Sequence, residues 1–240
     1  MLQPSLSVVI PVFNEEERII ATLQRIVAFL SSKHYSWEVV VCDDGSTDST
    51  ISLVKGFITK GTHIKILELT HAGKGWAIKN GVLFSAGIHR FICDADLSMA
   101  IDQLDRFFVP DSKCTEIVIG SRELQLSKRI GEPFTRHVMG RIYNILVRGL
   151  AIRDITDTQC GFKCFTGEQV FELFKKQRIN GFAFDVEILF LAQRAGIRVR
   201  EINIEWYYMP SSKVRPILDS LLMTWDLFKI RWIHKFDSNF

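Results

Sequence analysis

The sequence predicts an α/β protein with a mainly parallel central sheet covered by helices. Short β-branched runs alternate with segments of helical periodicity through the first half. The runs are almost continuously apolar, as strands buried on both faces are. Each polar cluster of this half falls just beyond the carboxyl end of a predicted strand, which is where such sheets bind ligands.

The predicted strands are 6–12, 37–43, 63–69, 90–95 and 116–121, and the intervening helices are Glu15–Leu30, Asp48–Thr59, Lys74–Ala86 and Ile101–Phe107. Beyond Arg122 the alternation gives way to a basic amphipathic stretch (134–150), the segment DITDTQCGFKCF (154–165), helices over 167–176 and 182–196, a strand over 199–206 and a C-terminal helix. No repeat or Gly/Ser-rich linker interrupts the chain. The expected division is one domain over 1–210, with a donor half to about 122 and an acceptor half over 123–210, followed by an amphipathic helix in 211–240.

At 240 residues and a net charge of +3, the chain has room for a full core and no global signature of nucleic-acid binding. Five scattered cysteines suit buried thiols in a reducing compartment. No zinc spacing occurs, although Cys160 and Cys164 would share one face if their segment were helical. The start, MLQPSLSVVIPVFNEEE, fits neither a signal peptide nor a spanning helix, so the expectation is a soluble or peripheral protein.

Four loops converge on one crevice: Phe13-Asn14-Glu15, Asp43-Asp44-Gly45-Ser46, His71 to Gly75, and Asp94-Ala95-Asp96. Asp94 and Asp96, one residue apart after an apolar strand, suit a divalent cation and a sugar or ribose hydroxyl. Asp44 to Asp48 suit a helix cap near Thr47, and one carboxylate of the Asp43-Asp44 pair suits a base N–H or a ribose hydroxyl. In HAGKGWAIKNG, two glycines and Lys74 open a helix whose amide end favours an anion. It is not a nucleotide-triphosphatase loop, because Glu68 and Gly75 stand where glycine and Ser/Thr are needed. The six histidines are too dispersed for a metal cluster, with His71 set apart only by its place beside the lysine loop.

The order SVVIPVFNEEERI, VCDDGSTDST, GKGWAIKNG, DADLS, GSRE, DTQCGFKCF, FAFDVEILFLAQ and SSKV resembles an inverting GT-A glycosyltransferase of family 2. More narrowly it is similar to the dolichyl-phosphate β-glucosyltransferases, with polyprenyl-phosphate mannose synthases as cousins. The resemblance implies a Rossmann-like GT-A fold with Pro11, Asn14, Glu15 and Asp44 around the nucleoside and Lys74 near the donor. It places Asp94 and Asp96 on the nucleotide sugar and its Mg²⁺ or Mn²⁺, and Gln159, Asp157, Asp185 and Glu187 around the sugar and the reacting centre. Arg122, Arg136 and Lys213 would meet the acceptor phosphate. Ser98 departs from the glutamine of many mannose synthases and tilts the choice of sugar away from mannose.

The implied reaction moves glucose from UDP-glucose to a polyprenyl or dolichyl phosphate. That phosphate is already ionised near neutrality and attacks C1 without a strong base. A hydroxyl acceptor would need one, with Asp157 the nominee. GDP-mannose as donor and a non-catalytic nucleotide-sugar scaffold are the alternatives. In the C-terminal helix Leu218, Leu221, Leu222, Trp225, Phe228, Trp232 and Phe236 recur at helical spacing among Lys229, Arg231 and Lys235, and 134–150 repeats the pattern. Both segments suit the cytoplasmic face of a membrane, or equally a partner subunit with transmembrane helices.

Overall fold

The structure, a computed structural model, describes residues 3–58, 63–110, 112, 114–209 and 216–235, the side chains of 216–219 excepted. Lys213 therefore lies outside the described residues, as do the side chains of Leu218 and Phe236. The elements run β1 (Leu6–Val12), α1 (Ile19–Ser31), β2 (Trp37–Asp43), α2 (Thr50–Phe57), β3 (Ile64–Glu68), α3 (Lys74–Phe84) and β4 (His89–Ile92). A 3-10 helix (Ile101–Arg106) precedes β5 (Glu116–Ser121), β6 (Lys128–Ile130), α4 (Phe134–Leu150), β7 (Lys163–Thr166) and α5 (Glu168–Lys176). The chain continues through α6 (Phe184–Arg194), β8 (Arg198–Asn203), β9 (Glu205–Tyr207) and α7 (Pro216–Ile233).

Seven strands form one sheet in the order β3-β2-β1-β4-β7-β5-β8, and β6 pairs with β9 in a small second sheet. All pairings of the large sheet are parallel except those of β7, which runs antiparallel between β4 and β5. The mainly parallel sheet is thus as expected, with one reversed strand inserted between β4 and β5. Cys164 sits in that strand, so Cys160 and Cys164 share no helical face. The strand expected over 199–206 breaks at Ile204 into β8 and β9.

Strand alternation divides the core into two layers. Val8 and Ile10 join the side that holds α1, while Val9 joins the side that holds α3, α5, α6 and α7. The first layer takes Ile19, Leu23, Ile26 and Leu30 of α1, spaced so that they share one face. Helix α7 enters the second layer through Met223, Leu227 and Ile230.

Candidate active site

The loop after β4 is built around Asp94. The strand ends at Ile92, two residues sooner than Asp94, so both acids stand in a turn in which Asp96 Oδ1 accepts the Ser98 amide at 2.9 Å. Gly161 lies directly behind: a Cβ there would stand 1.8 Å from Asp94 Oδ2. The glycine of the Gln159-Cys160-Gly161 turn is required because the Asp94 carboxylate occupies its side-chain space.

Lys74, at the first position of α3, places Nζ 2.6 Å from Asp94 Oδ1. Burial works against its charge, yet Asp94, Asp185 and Asp96 together outweigh burial and raise its pKa. Asp185 of α6 in turn pairs with Lys163 of β7 at 2.7 Å. Burial raises the pKa of Asp185, against the pull of Lys163 and Lys74. Beyond Lys163 stands Asp157, whose oxygens receive Arg122 Nε at 2.7 Å, Nη2 at 2.8 Å and the Arg122 amide at 2.9 Å. Asp94, Lys74, Asp185, Lys163, Asp157 and Arg122 therefore alternate in sign across the crevice.

Asp157 is fully buried. Burial alone would raise its pKa, but Arg122 outweighs burial and holds the carboxyl at about 2. A carboxylate so committed is a poor proton acceptor and a firm anchor for a guanidinium. Its loop is held from β8, where Glu201 accepts the amides of Thr156 and Asp157.

Arg122 and Arg136 meet on one aromatic ledge. Arg122 lies 5.5 Å from the Trp206 ring and Arg136 5.0 Å from the Tyr208 ring, with the two rings 6.3 Å apart. Trp206 Nε1 donates to Ser98 Oγ at 3.0 Å, which ties this ledge to the Asp94-Asp96 turn.

The loops after β1 and β2 form the other wall. Asn14, held at a φ of 54°, accepts the Thr47 amide on Oδ1 at 2.7 Å, and its own amide donates to Ser46 Oγ. The Glu15 amide donates to Thr50 Oγ1, and Pro11 lies in β1 opposite Cys42 of β2. Helix α2 starts at Thr50, where Asp48 Oδ1 accepts the Thr50 amide. The two neighbouring acids divide their work. Asp44 is saturated by the Ala72 and Gly73 amides and by His71, so the anion seated at the start of α3 is this side chain. Asp43 accepts the Gly45 and Ser46 amides on Oδ2 only; Oδ1 is buried without a partner.

Not every expected residue reaches the cluster. Glu187 is two positions from Asp185 in α6 and points elsewhere, accepting the Arg178 and Ile179 amides and pairing with His234. Gln159 points its amide toward Met223 of α7, 4.0 Å away. Conversely Lys163, Glu201, Trp206 and Gly161 were not singled out from the sequence. Lys163 alone carried a signal, a charge inside the apolar run Phe162 to Phe165.

The acids suit a divalent cation. Burial and the neighbouring Asp94 raise the pKa of Asp96, the mark of negative charge held too close to its like. Two carboxylates are also a normal protein share for Mg²⁺, which takes its other oxygens from phosphates and water. Among the described residues no third His, Cys, Asp or Glu joins them.

Fold and site together define a glycosyltransferase of the GT-A class. The chain belongs to the family described as Glycosyl transferase family 2, whose model matches residues 7–171. It is similar to a dolichyl-phosphate beta-glucosyltransferase of Dictyostelium discoideum, 35% identical over 241 residues covering 95% of this chain and 74% of the relative. The Drosophila melanogaster protein of the same name is 35% identical over 243 residues, with the same coverage. In fold it is similar to glucosyl-3-phosphoglycerate synthase from Mycobacterium tuberculosis, solved with Mn²⁺, uridine diphosphate and phosphoglyceric acid. That likeness has a TM-score of 0.63 at 17% identity and covers 95% of this chain and 77% of the other. The resemblance read from the motifs is thereby borne out.

Proposed function

We propose that the protein transfers glucose from UDP-glucose to the phosphate of a dolichyl or polyprenyl lipid, with inversion, using Mg²⁺ or Mn²⁺ at Asp94 and Asp96. The observation that carries this reading is the charge chain from Asp94 to Arg122, which sets a donor-side cation, Lys74, and an acceptor-side cation, Arg122, at opposite ends of one rigid network. Similarity to the dolichyl-phosphate glucosyltransferases supports the sugar and the acceptor.

The residues divide as follows. Asp43 Oδ1 accepts an N–H of the base, its vacant acceptor capacity being costly until filled. Pro11, Asn14 and Glu15 shape the nucleoside wall, and Asp44 holds the lysine loop rather than the base. Lys74 carries charge developing on the leaving diphosphate. A cation bound by Asp94 and Asp96 would supply further stabilisation of that same charge. Asp185 faces the sugar, and Glu187 supports the lysine loop from behind.

On the acceptor side Arg122 and Arg136 bind the lipid phosphate, joined by Lys213. Asp157 orients Arg122, leaving Nη1 outside the ion pair. An acceptor that arrives ionised needs no general base, which is consistent with the low pKa of Asp157. Two anions must approach to react, and the fixed guanidinium groups offset their repulsion.

The acceptor side borders an apolar face. Phe134, Val138, Ile142, Ile145 and Leu146 of α4 and Leu221, Leu222, Trp225, Phe228 and Trp232 of α7 are all exposed, Trp225 at 62% and Trp232 at 77%. The two helices pack on each other, and Arg141, Arg148 and Lys229 stand exposed on the same helices. Such apolar and basic side chains together suit an anionic lipid surface, with α7 as the interfacial helix. No helix among the described residues is long and apolar enough to cross a membrane. The reading places the protein on the cytoplasmic face, where its free cysteines stay reduced.

The test offers radiolabelled UDP-glucose or GDP-mannose, each with a polyprenyl phosphate, with divalent metal or chelator. Metal-dependent label in the organic phase from UDP-glucose supports the reading. Label only from GDP-mannose, or none from either donor, overturns it.

A further inference from the structure

Helix α7 is joined to the donor site by a buried ion-pair geometry that the proposed reaction does not itself use. His234, one residue past the helix end, places Nε2 2.7 Å from Glu187 Oε1, and both side chains are essentially buried. Arg194 Nη1 donates to the backbone carbonyl of His234, which fixes the main chain there, and the Phe190 ring lies beside the imidazole, 6.4 Å between centroids. Glu187 uses its two oxygens on the Arg178 amide at 2.9 Å and the Ile179 amide at 2.8 Å, which fixes the turn before α6.

That turn is the floor of the lysine loop. A Cβ on Gly73 would stand 2.6 Å from the Asn180 carbonyl oxygen, and one on Gly75 would meet the Ile179 and Gly181 carbonyl oxygens at 2.8 Å. The Trp76 amide donates to the Asn180 carbonyl at 3.1 Å, and Gln177 Nε2 donates to the Gly75 carbonyl at 2.9 Å. Lys74 lies between the two glycines, with its Nζ on Asp94. Contact is continuous from His234 through Glu187 and residues 177–181 to Lys74.

We infer that His234 is a positioning residue for the donor diphosphate: by holding Glu187 it sets the 177–181 turn, and through it the place of Lys74. The seating of α7, the helix with the outward apolar face, is thereby coupled to donor binding. The inference rests on the proposed reading only in naming the donor. The coupling itself is a property of the fold.

Two variants of the full chain test it. His234→Phe keeps an aromatic ring of similar volume but removes the side-chain donor to Glu187 and leaves only the two backbone amides, whereas His234→Gln keeps an N–H donor near the site of Nε2. Amide hydrogen exchange, with no ligand present, should be faster by about tenfold in peptides covering 72–77 and 178–181 of His234→Phe and close to wild type in His234→Gln. In transfer assays His234→Phe should raise the donor KM by about tenfold and leave the acceptor KM unchanged, with recovery in His234→Gln. Unchanged exchange in those peptides, or exchange that rises uniformly over the chain, overturns the inference. So does a loss that falls equally on donor and acceptor. Failure of wild type to use UDP-glucose would instead sink the proposed donor, and hydrogen exchange would still decide the coupling.

Discussion

The carboxylate of Asp94 occupies the space that a side chain on Gly161 would fill, with Oδ2 only 1.8 Å from the position of its Cβ. The turn of the Asp157-to-Lys163 segment and the Asp94-Asp96 turn are therefore shaped to each other, although more than sixty residues separate them in sequence. Lys74 approaches the same carboxylate from the other side.

Gly161→Ala must push Asp94 aside. Its backbone is not in the left-handed region, so the substitution strains the site rather than the main chain. Transfer should fall by on the order of 100-fold, since misplacement by about 1 Å has that effect. Steady-state kinetics beside a thermal melt check this; full activity in the variant would show that Asp94 can move freely.

Asp43 and Asp44 should separate in their phenotypes. Asp43→Asn is expected to raise the donor KM roughly 10- to 100-fold, from loss of a charge-assisted bond to the base. Asp44→Asn should lower the melting temperature as well, because its carboxylate holds the Ala72 and Gly73 amides. Calorimetric titration with uridine diphosphate and thermal melts of both variants distinguish them.

Much of this arrangement was legible in the sequence. Continuous apolar runs gave β1, β2 and β5 to the residue, and the four loops meet because parallel strands present their carboxyl ends together. Strand β7 was not legible. Its four residues, Lys163 to Thr166, begin with a lysine that periodicity assigns to a surface, and only the fold shows that this lysine is buried against Asp185. The division between Asp185 and Glu187 was missed although helical geometry contains it, since residues two apart face opposite ways. The work of Glu201 and His234 depends on contacts 40 or more residues away, which no local pattern encodes.

The Arg122–Asp157 pair sets a pH dependence of stability. The folded pKa of Asp157, about 2, lies below its ordinary value of 3.8. The pair therefore contributes stability that is fully present above the ordinary value and is lost as pH falls through the folded one. The contribution is roughly 2 kcal/mol. Urea unfolding of wild type between pH 5 and 2 should show this loss. Asp157→Asn should be less stable near neutrality and lack this component of the acid slope.

The apolar face should be separable from the chemistry. Trp225→Glu with Trp232→Glu places charge on two exposed side chains of α7. Cosedimentation with anionic vesicles should weaken by about tenfold for each residue, while binding of uridine diphosphate stays unchanged. Vesicle binding equal to wild type would remove α7 from the membrane account.

The central claim is that the lipid phosphate itself attacks C1, held by Arg122 and Arg136. Proton and phosphorus NMR of the purified lipid product from UDP-glucose reports both the linkage and the anomer. The account predicts one β-linked glucosyl phosphodiester. An α-linked glucosyl phosphate, or glucose joined to a hydroxyl with no phosphorus coupling at its C1, would contradict it.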